Sequence, residues 1–316
     1  MQELRFEVKP ANIVVTMRRL FSSMLILALL ASGSAEAQKH GRKAGRSRGV
    51  ATYTRGGLPN IQAQAAAVVD LGSNEELVMK NADEQRPIAS ISKLMAMLVV
   101  LDPERKLDMD AATTMTDSDR LIANGGARSR LPIGLAFTNR DLLHAALMAS
   151  DNRAVPALGR AVGLNPQQMV EAMNAKAKQL DLKNTTFEDP VGLNANNKST
   201  ARDLVGLLRA AMRNQTITEI TQKAKYVAHP VGKPGWTIEY TNTDVIARSG
   251  RYEVITGKTG YTDVALYCLA IAVKMMGAKP VAMVFLGAVG KMTRFGDFGR
   301  VAQWLAERKW GKSAGL

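Results

Sequence analysis

Ser90-Ile91-Ser92-Lys93, Ser150-Asp151-Asn152 and Lys258-Thr259-Gly260 stand in that order along the 316-residue chain, and their spacing constrains the fold more tightly than any other feature. Sixty residues separate Ser90 from Ser150, and 108 separate Ser150 from Lys258. Those intervals leave room for a helical insertion between two halves of one sheet. Each string alone is weak, because Ser, Lys, Thr and Gly are common. Together they are specific: Ser90 is the only serine with a lysine three residues on, and Lys-Thr-Gly occurs once.

A serine hydroxyl becomes a nucleophile when a neighbour takes its proton, and the three histidines offer no such neighbour. His40 lies in a basic stretch, His144 on an apolar helical stretch and His229 before Pro230. Lys93 is the candidate base, because residues i and i+3 of a helix share a face about 5 to 6 Å apart at Cβ. To act it must be neutral, and burial with a second cation, Lys258, is expected to disfavour its ammonium form. Ser90 in the first turn of its helix brings exposed N–H groups to the side where an oxyanion develops. Ser150 is expected to relay a proton to the leaving amine, and Asn152 to hold a substrate carbonyl. Lys258 and Thr259, on a strand, point to opposite faces unless it is twisted or bulged, while Gly260 lets another backbone come close. An extended peptide then pairs along this edge. Its terminal carboxylate meets Lys258 and the hydroxyls of Thr259 and Thr262, and the Ser90 and Tyr261 N–H groups form the oxyanion hole.

The pattern of elements agrees with an inserted lobe. Ala63 to Leu71, a turn at Gly72-Ser73-Asn74 and Glu76 to Met79 read as an opening hairpin. Ile91, Leu94, Met95, Leu98 and Val99 recur at helical spacing and stop at Asp102-Pro103. Helices are expected over Asn139 to Ser150, Pro166 to Leu180 and Thr200 to Arg213, the last with Ser199/Thr200 and Asp203 resembling a capping box. From Thr237 the runs turn β-branched: Thr237 to Thr241, Val254 to Thr259, Leu266 to Lys274 and Val281 to Leu286, read as hairpin-linked antiparallel strands. A closing helix over Phe295 to Trp310 puts Phe298, Val301, Ala302 and Leu305 on one face. The fold class is α+β, an antiparallel sheet flanked by helices with an inserted all-helical lobe.

Residues 1–37 stand apart. Arg18 and Arg19 precede an apolar run from Leu20 to Ala31, and Ala35-Glu36-Ala37 ends it with small residues, which reads as a secretory signal segment with Gln38 as the mature N-terminus. Met17, directly before the arginines, is an alternative start. The run is shorter than the ~20 residues of a membrane span, so export followed by release, without a stable membrane anchor, is expected. Residues 38–60, with the Lys- and Arg-rich run from Lys39 to Arg48, read as a basic flexible tether, and 61–312 as the catalytic domain. The net charge of +14 suits anionic wall polymers, and nucleic acid is not expected as a partner of an exported chain. Cys268, in an apolar strand-like run, reads as a buried hydrophobe. No histidine pair has metal-ligand spacing, so neither a metal nor a cofactor is expected.

From about Ala63 to Trp310 the chain resembles the low-molecular-mass penicillin-binding proteins, the serine D-Ala-D-Ala peptidases of the bacterial wall, whose three motifs are S-x-x-K, S-D-N and K-T-G. The resemblance extends to Arg86-Pro87-Ile88-Ala89-Ser90, Ser129-Arg130-Leu131-Pro132-Ile133-Gly134, Asp189-Pro190-Val191-Gly192-Leu193 and Ser199-Thr200-Ala201-Arg202-Asp203-Leu204, strings nearer the endopeptidases of that family than its carboxypeptidases. It implies a β-lactamase/transpeptidase-like fold, cleavage of peptidoglycan crosslinks through an acyl-enzyme on Ser90, and covalent inhibition by β-lactams. Carboxypeptidase trimming of pentapeptide stems is the alternative. A class A-like β-lactamase would carry a glutamate in an E-P-E-L-N loop, where Glu188-Asp189-Pro190-Val191-Gly192-Leu193-Asn194 stands here. A non-hydrolytic β-lactam sensor is the remaining reading.

Overall fold

The computed structural model describes residues 51–275 and 280–308. The signal segment, the basic 39–48 run and Trp310 lie outside them.

Small and β-branched residues form β1 (Ala65–Asp70), which turns back into β2 (Glu76–Lys80). Asp70 fixes the turn by accepting from Gly72 N at 2.8 Å, and Asn74 takes a left-handed φ of 65°. The two-residue β3 (Arg86–Pro87) leads into a 3₁₀ turn over Ala89–Ile91 and then α1 (Ser92–Val100). Only Leu98 of α1 is not fully buried, as its apolar sequence on most faces requires. The lobe that follows holds β4 (Ala112–Thr114), α2 (Asp117–Ile122), β5 (Ala136–Thr138), α3 (Asn139–Leu147), α4 (Ala154–Ala161) and α5 (Pro166–Gln179). Next come β6 (Lys198–Ser199), α6 (Ala201–Met212) and α7 (Gln215–Gln222). Side chains start these helices: Thr138 accepts from Asp141 N, Asn165 and Gln168 form a capping box ahead of Pro166, and Asn214 accepts from Ile217 N.

β7 (Lys225–Ala228), β8 (Ile238–Thr241) and α8 (Val245–Ser249) lead to the three long strands β9 (Glu253–Thr262), β10 (Leu266–Lys274) and β11 (Pro280–Ala288), and α9 (Thr293–Glu307) closes the chain. One antiparallel sheet has the order β2-β1-β11-β10-β9. Its first two strands precede the lobe and its last three follow it, so the insertion inferred from motif spacing is real. β9, which carries Lys258 to Gly260, is an edge strand. One face of the sheet packs on α9, whose Phe298, Val301, Ala302 and Leu305 are buried as their spacing predicts; the other meets α6 and the helical lobe.

Several local expectations change. The helix from Asn139 stops at Leu147 rather than Ser150, because Ser150 adopts a left-handed φ of 60° that ends helical geometry. The strand before Asn242 does not join the large sheet. β8 pairs with β7 in a separate ribbon, and the Asn242 amide, donating to Thr221 O at 2.8 Å and Lys223 O at 2.9 Å, pulls the chain away. The lobe also carries the β4–β5 ribbon, and short helices α2, α4, α7 and α8 that periodicity did not reveal; α4 contains Pro156 and Gly159. Thr200 caps α6 through Asp203 N, but no reciprocal bond closes a box, because the Asp203 carboxylate accepts from Asn184 N and Thr185 Oγ1, each at 2.8 Å.

Candidate active site

The 3₁₀ turn presents Ser90 on a bend where Ala89 has a left-handed φ of 48°. Two glycines allow other backbone segments to press against this bend. A Cβ on Gly260 would stand 2.8 Å from Ile88 O and 3.1 Å from Ser90 N, and one on Gly192 only 2.1 Å from Ala89 O. The K-T-G strand and the 188–197 loop therefore clamp the serine from two sides, which only glycine permits at such distances.

Lys93 lies one helical turn on, fully buried, with Nζ 2.9 Å from Ser90 Oγ, 2.8 Å from Asn152 Oδ1 and 2.6 Å from Val191 O. The last two partners accept only. A neutral amine has two N–H donors and one lone pair, so with both carbonyls satisfied the lone pair faces the Ser90 hydroxyl. Burial pushes the Lys93 pKa down to about 7, against the opposing pull of Asp189 and Asp151. Burial is the first cause, so the expected repulsion by Lys258 is not what chiefly neutralises Lys93. Lys258 is itself held well below the ordinary lysine range by burial, then by Lys93 and Arg294. The two lysines, buried near each other, disfavour a second proton in the site.

Around this pair the structure places the other predicted residues unequally. Ser150 lines the cleft from the loop after α3, with no hydrogen bond among the described residues. Asn152 is buried, and its carbonyl is already taken by Lys93, which leaves its Nδ2 group as the donor a substrate carbonyl could use. Thr259 Oγ1 lies 2.6 Å from Thr243 Oγ1. Thr262 Oγ1 accepts from Ala265 N at 3.0 Å and so shapes the β9–β10 turn, while its proton stays free for a ligand. The half-exposed Tyr261 ring stacks on Tyr267, and its hydroxyl donates to Asp263 at 2.7 Å. A cleft of about 1030 Å³ joins Ser90, Ser150, Asn152, Thr259 and Thr262 along the β9 edge. No cluster of metal-ligating residues occurs among the described residues.

Such an arrangement can take a proton from Ser90 and deliver the serine oxygen to a carbonyl laid along an edge strand. The peptidase S11 family, D-alanyl-D-alanine carboxypeptidase, matches residues 52–290 of the chain. The chain belongs to the S11 peptidases. This S11 peptidase is 35% identical over 259 residues to a D-alanyl-D-alanine endopeptidase of Escherichia coli K12, covering 82% of each chain. It is 35% identical over 255 residues to a D-alanyl-D-alanine endopeptidase of Pseudomonas aeruginosa, covering 79% of this chain and 80% of that one. Among solved structures, the Streptomyces K15 DD-transpeptidase matches with a TM-score of 0.72 at 30% identity, over 78% of this chain and 98% of its own. A D-alanyl-D-alanine carboxypeptidase of Mycobacterium tuberculosis matches with a TM-score of 0.70 at 26% identity, over 82% and 96%.

The S11 site also holds residues to which the sequence alone gave no role. Asp189 accepts from Val191 N and Gly192 N, both at 2.6 Å, and thereby aims the Val191 carbonyl at Lys93. Asn197 anchors that loop to α1, donating to Asp189 O at 2.8 Å and Ser92 Oγ at 3.0 Å. Asp151 accepts from Ser129 Oγ at 2.9 Å, Arg130 N at 3.1 Å and Arg153 N at 3.0 Å, which fixes the loop that carries Ser150 and Asn152. Arg294, buried at the start of α9, donates to Gly260 O at 3.1 Å. Nearby Asp244 is raised to about 6 by burial, in spite of Arg294 and Lys258, and its Oδ2 has no partner among the described residues. The signal for the loop was present in Asp189-Pro190, an acid before a turn. Asp244 and Arg294 lie outside all three motifs and offered none.

Proposed function

We propose that this S11 peptidase is a serine D-Ala-D-Ala endopeptidase that opens peptidoglycan crosslinks through an acyl-enzyme on Ser90. The observation that carries the chemistry is the buried Lys93 amine, 2.9 Å from Ser90 Oγ with both of its other partners carbonyls. Lys93 takes the hydroxyl proton as Ser90 Oγ bonds to the scissile carbonyl carbon. The Ser90 and Tyr261 N–H groups hold the oxyanion, and Asn152 Nδ2 holds a substrate carbonyl. The proton passes by way of Ser150 to the leaving amine as the C–N bond breaks. Water then attacks the ester, gives its proton to Lys93, and Ser90 leaves reprotonated. Thr259 and Thr262 receive the substrate carboxylate, and Gly260 admits the peptide backbone. Lys258, expected from the sequence to meet the carboxylate, is instead buried outside the cleft lining, where its Nζ donates to Thr259 O at 2.8 Å and supports Thr259 from behind.

The endopeptidase reading draws on the two relatives so named and on the cations of the cleft wall. Arg248, Lys291 and Arg294 line it, and Asp263 is the one acid among its lining residues. Such a wall suits a leaving group that is an acidic stem peptide rather than a single D-alanine. Carboxypeptidase action is the second reading, favoured by the family description and the mycobacterial structure. A deacylating glutamate of the β-lactamase kind has little support: Glu188 is exposed, and its carboxylate accepts from Asn194 and Asn196 side chains at 3.0 and 2.9 Å. The peptidase domain spans 61–312, behind a signal segment (1–37) and a tether (38–60) that favours the anionic wall, and the enzyme works in the periplasm. No helix among the described residues is long and apolar enough to cross a membrane. Intact mass after exposure to a penicillin should show one adduct, on Ser90, absent from Ser90→Ala. Incubation with muropeptides should split crosslinked dimers faster than it trims free pentapeptides; the reverse order would replace endopeptidase with carboxypeptidase.

A further inference from the structure

Thr243 belongs to none of the three motifs, yet it touches two of the segments that carry them. Its N–H donates to Met148 O at 2.9 Å, two residues before Ser150, and its Oγ1 lies 3.2 Å from the same carbonyl. The same Oγ1 lies 2.6 Å from Thr259 Oγ1. Its backbone is held from both sides, since Asn242 is pinned to Thr221 O and Lys223 O, and Asp244 caps α8 through Ile246 N at 2.8 Å. The Thr243 side chain stands exposed on the cleft.

We propose that Thr243 is a positioning residue that sets the direction of the Thr259 hydroxyl proton and thereby the affinity of the site for a carboxylate. The proposal rests on Thr259 as a docking point for the carboxylate of the substrate. Each hydroxyl has one proton and can both donate and accept. With the Thr243 proton on Met148 O, the Thr259 proton must lie on Thr243 Oγ1, and Thr259 offers a ligand only lone pairs. When a carboxylate arrives, Thr259 turns its proton to the anion and Thr243 turns its own to Thr259 Oγ1. Met148 O keeps the Thr243 N–H bond, so no polar group is stranded in either state. A donor behind Thr259 also polarises its O–H toward the anion.

The test compares a penicillin with its methyl ester, which acylates through the same ring but lacks the carboxylate. Wild-type, Thr243→Val, Thr243→Ala and Thr243→Ser enzymes are assayed for the second-order rate of adduct formation, with thermal melts to establish that each is folded. Val and Ala should lower the acid-to-ester rate ratio about three- to tenfold, the size of one neutral hydrogen bond, with the ester rate held within about twofold. Ser should restore the ratio. Acid and ester rates falling together, or a ratio that Val and Ala leave intact while wild type still acylates at Ser90, would overturn the inference alone. A wild type that forms no Ser90 adduct with either compound would overturn the proposed function and this inference with it.

Discussion

The two faces of the large sheet are both buried, but they are built from side chains of different size. Toward the helical lobe stand Ala65, Ala67, Cys268, Ala270 and Ala282 beside the larger Val69, Val284 and Leu286; toward α9 Ala66 stands among Val68, Leu269, Ile271, Val273, Val281, Met283 and Phe285. Register puts Lys258 opposite Ala270 and Gly260 opposite Cys268, so these two share the small-residue face, while Thr259 lies opposite Leu269. Small side chains let α6 and the Ser90 turn approach the strands closely, and the space near the edge goes to Lys93 and Lys258. The opposite face invests in apolar area: Phe298, Val301, Trp304 and Leu305 of α9 pack on it, and buried Asp297 ties α9 to the start of β1 by accepting from Gln62 N at 2.7 Å and Ala63 N at 2.8 Å. One face is shaped for chemistry at some cost in stability, because buried lysines are unfavourable, and the other supplies the burial that offsets it.

Substitutions on the two faces should therefore fail in different ways. The largest expected effect is on the lobe side: Lys93→Met should slow penicillin acylation on the order of 10²- to 10⁴-fold while the protein still unfolds cooperatively, measured by stopped-flow labelling and thermal melts. On the α9 side, Phe298→Ala should cost about 3 to 5 kcal/mol in urea unfolding, with the acylation rate of the folded protein within about twofold of wild type. If Phe298→Ala instead slowed acylation as strongly as it destabilised the fold, the division between faces would be wrong. Gly260→Ala sharpens the contrast, since its methyl group would meet Ile88 O at 2.8 Å. It should cost about 1 to 3 kcal/mol and also slow acylation about tenfold or more, because the displaced atoms belong to the Ser90 turn. Smallest of all should be Cys268→Ala. The thiol is fully buried, its pKa is pushed up to about 11 by that burial, and its Sγ has the Ala265 and Leu266 carbonyls as hydrogen-bond partners, so a change of about 1 kcal/mol or less and an unaltered acylation rate are expected.

The α9 side was the more legible of the two in the amino-acid sequence, because its signal is periodic. Phe298, Val301 and Leu305 announce a helical stripe, and the apolar, β-branched run from Leu266 to Lys274 announces a strand. The lobe side was legible in its longer helices, as over Pro166 to Leu180 and Thr200 to Arg213, and where a motif fixed residue types, as at Ser90, Lys93 and Lys258, but not in the loops that carry much of the site. The positive φ at Ser150, which shortens α3, follows from the loop that Asp151 holds by accepting from Ser129 and Arg130, and no local pattern encodes such long-range bonds. β8 was recognisable as a strand but not as part of a separate ribbon, since its partner choice depends on the Asn242 side chain reaching the end of α7. Asp189 illustrates the same limit: its residue type was visible, but its work of aiming Val191 O at Lys93 exists only in the folded loop.

Packing on the lobe side makes Lys93 a base at neutral pH. The sign is fixed by its depressed pKa, about 7: below that value Lys93 is an ammonium with no lone pair for Ser90, and above it the amine is free. The same shift makes the folded state bind fewer protons than the unfolded chain between pH 7 and the ordinary lysine value of 10.5, so this group's contribution to stability rises with pH across that window. The direct measurement is the rate constant of Ser90 acylation by a penicillin from about pH 5 to about pH 9, with the fold monitored at each point. A rate that climbs through a midpoint near 7 and levels off, with the midpoint lost in Lys93→Met, is the predicted result. A rate independent of pH across that range, or one still rising at its upper end with the slope of an ordinary lysine, would contradict it.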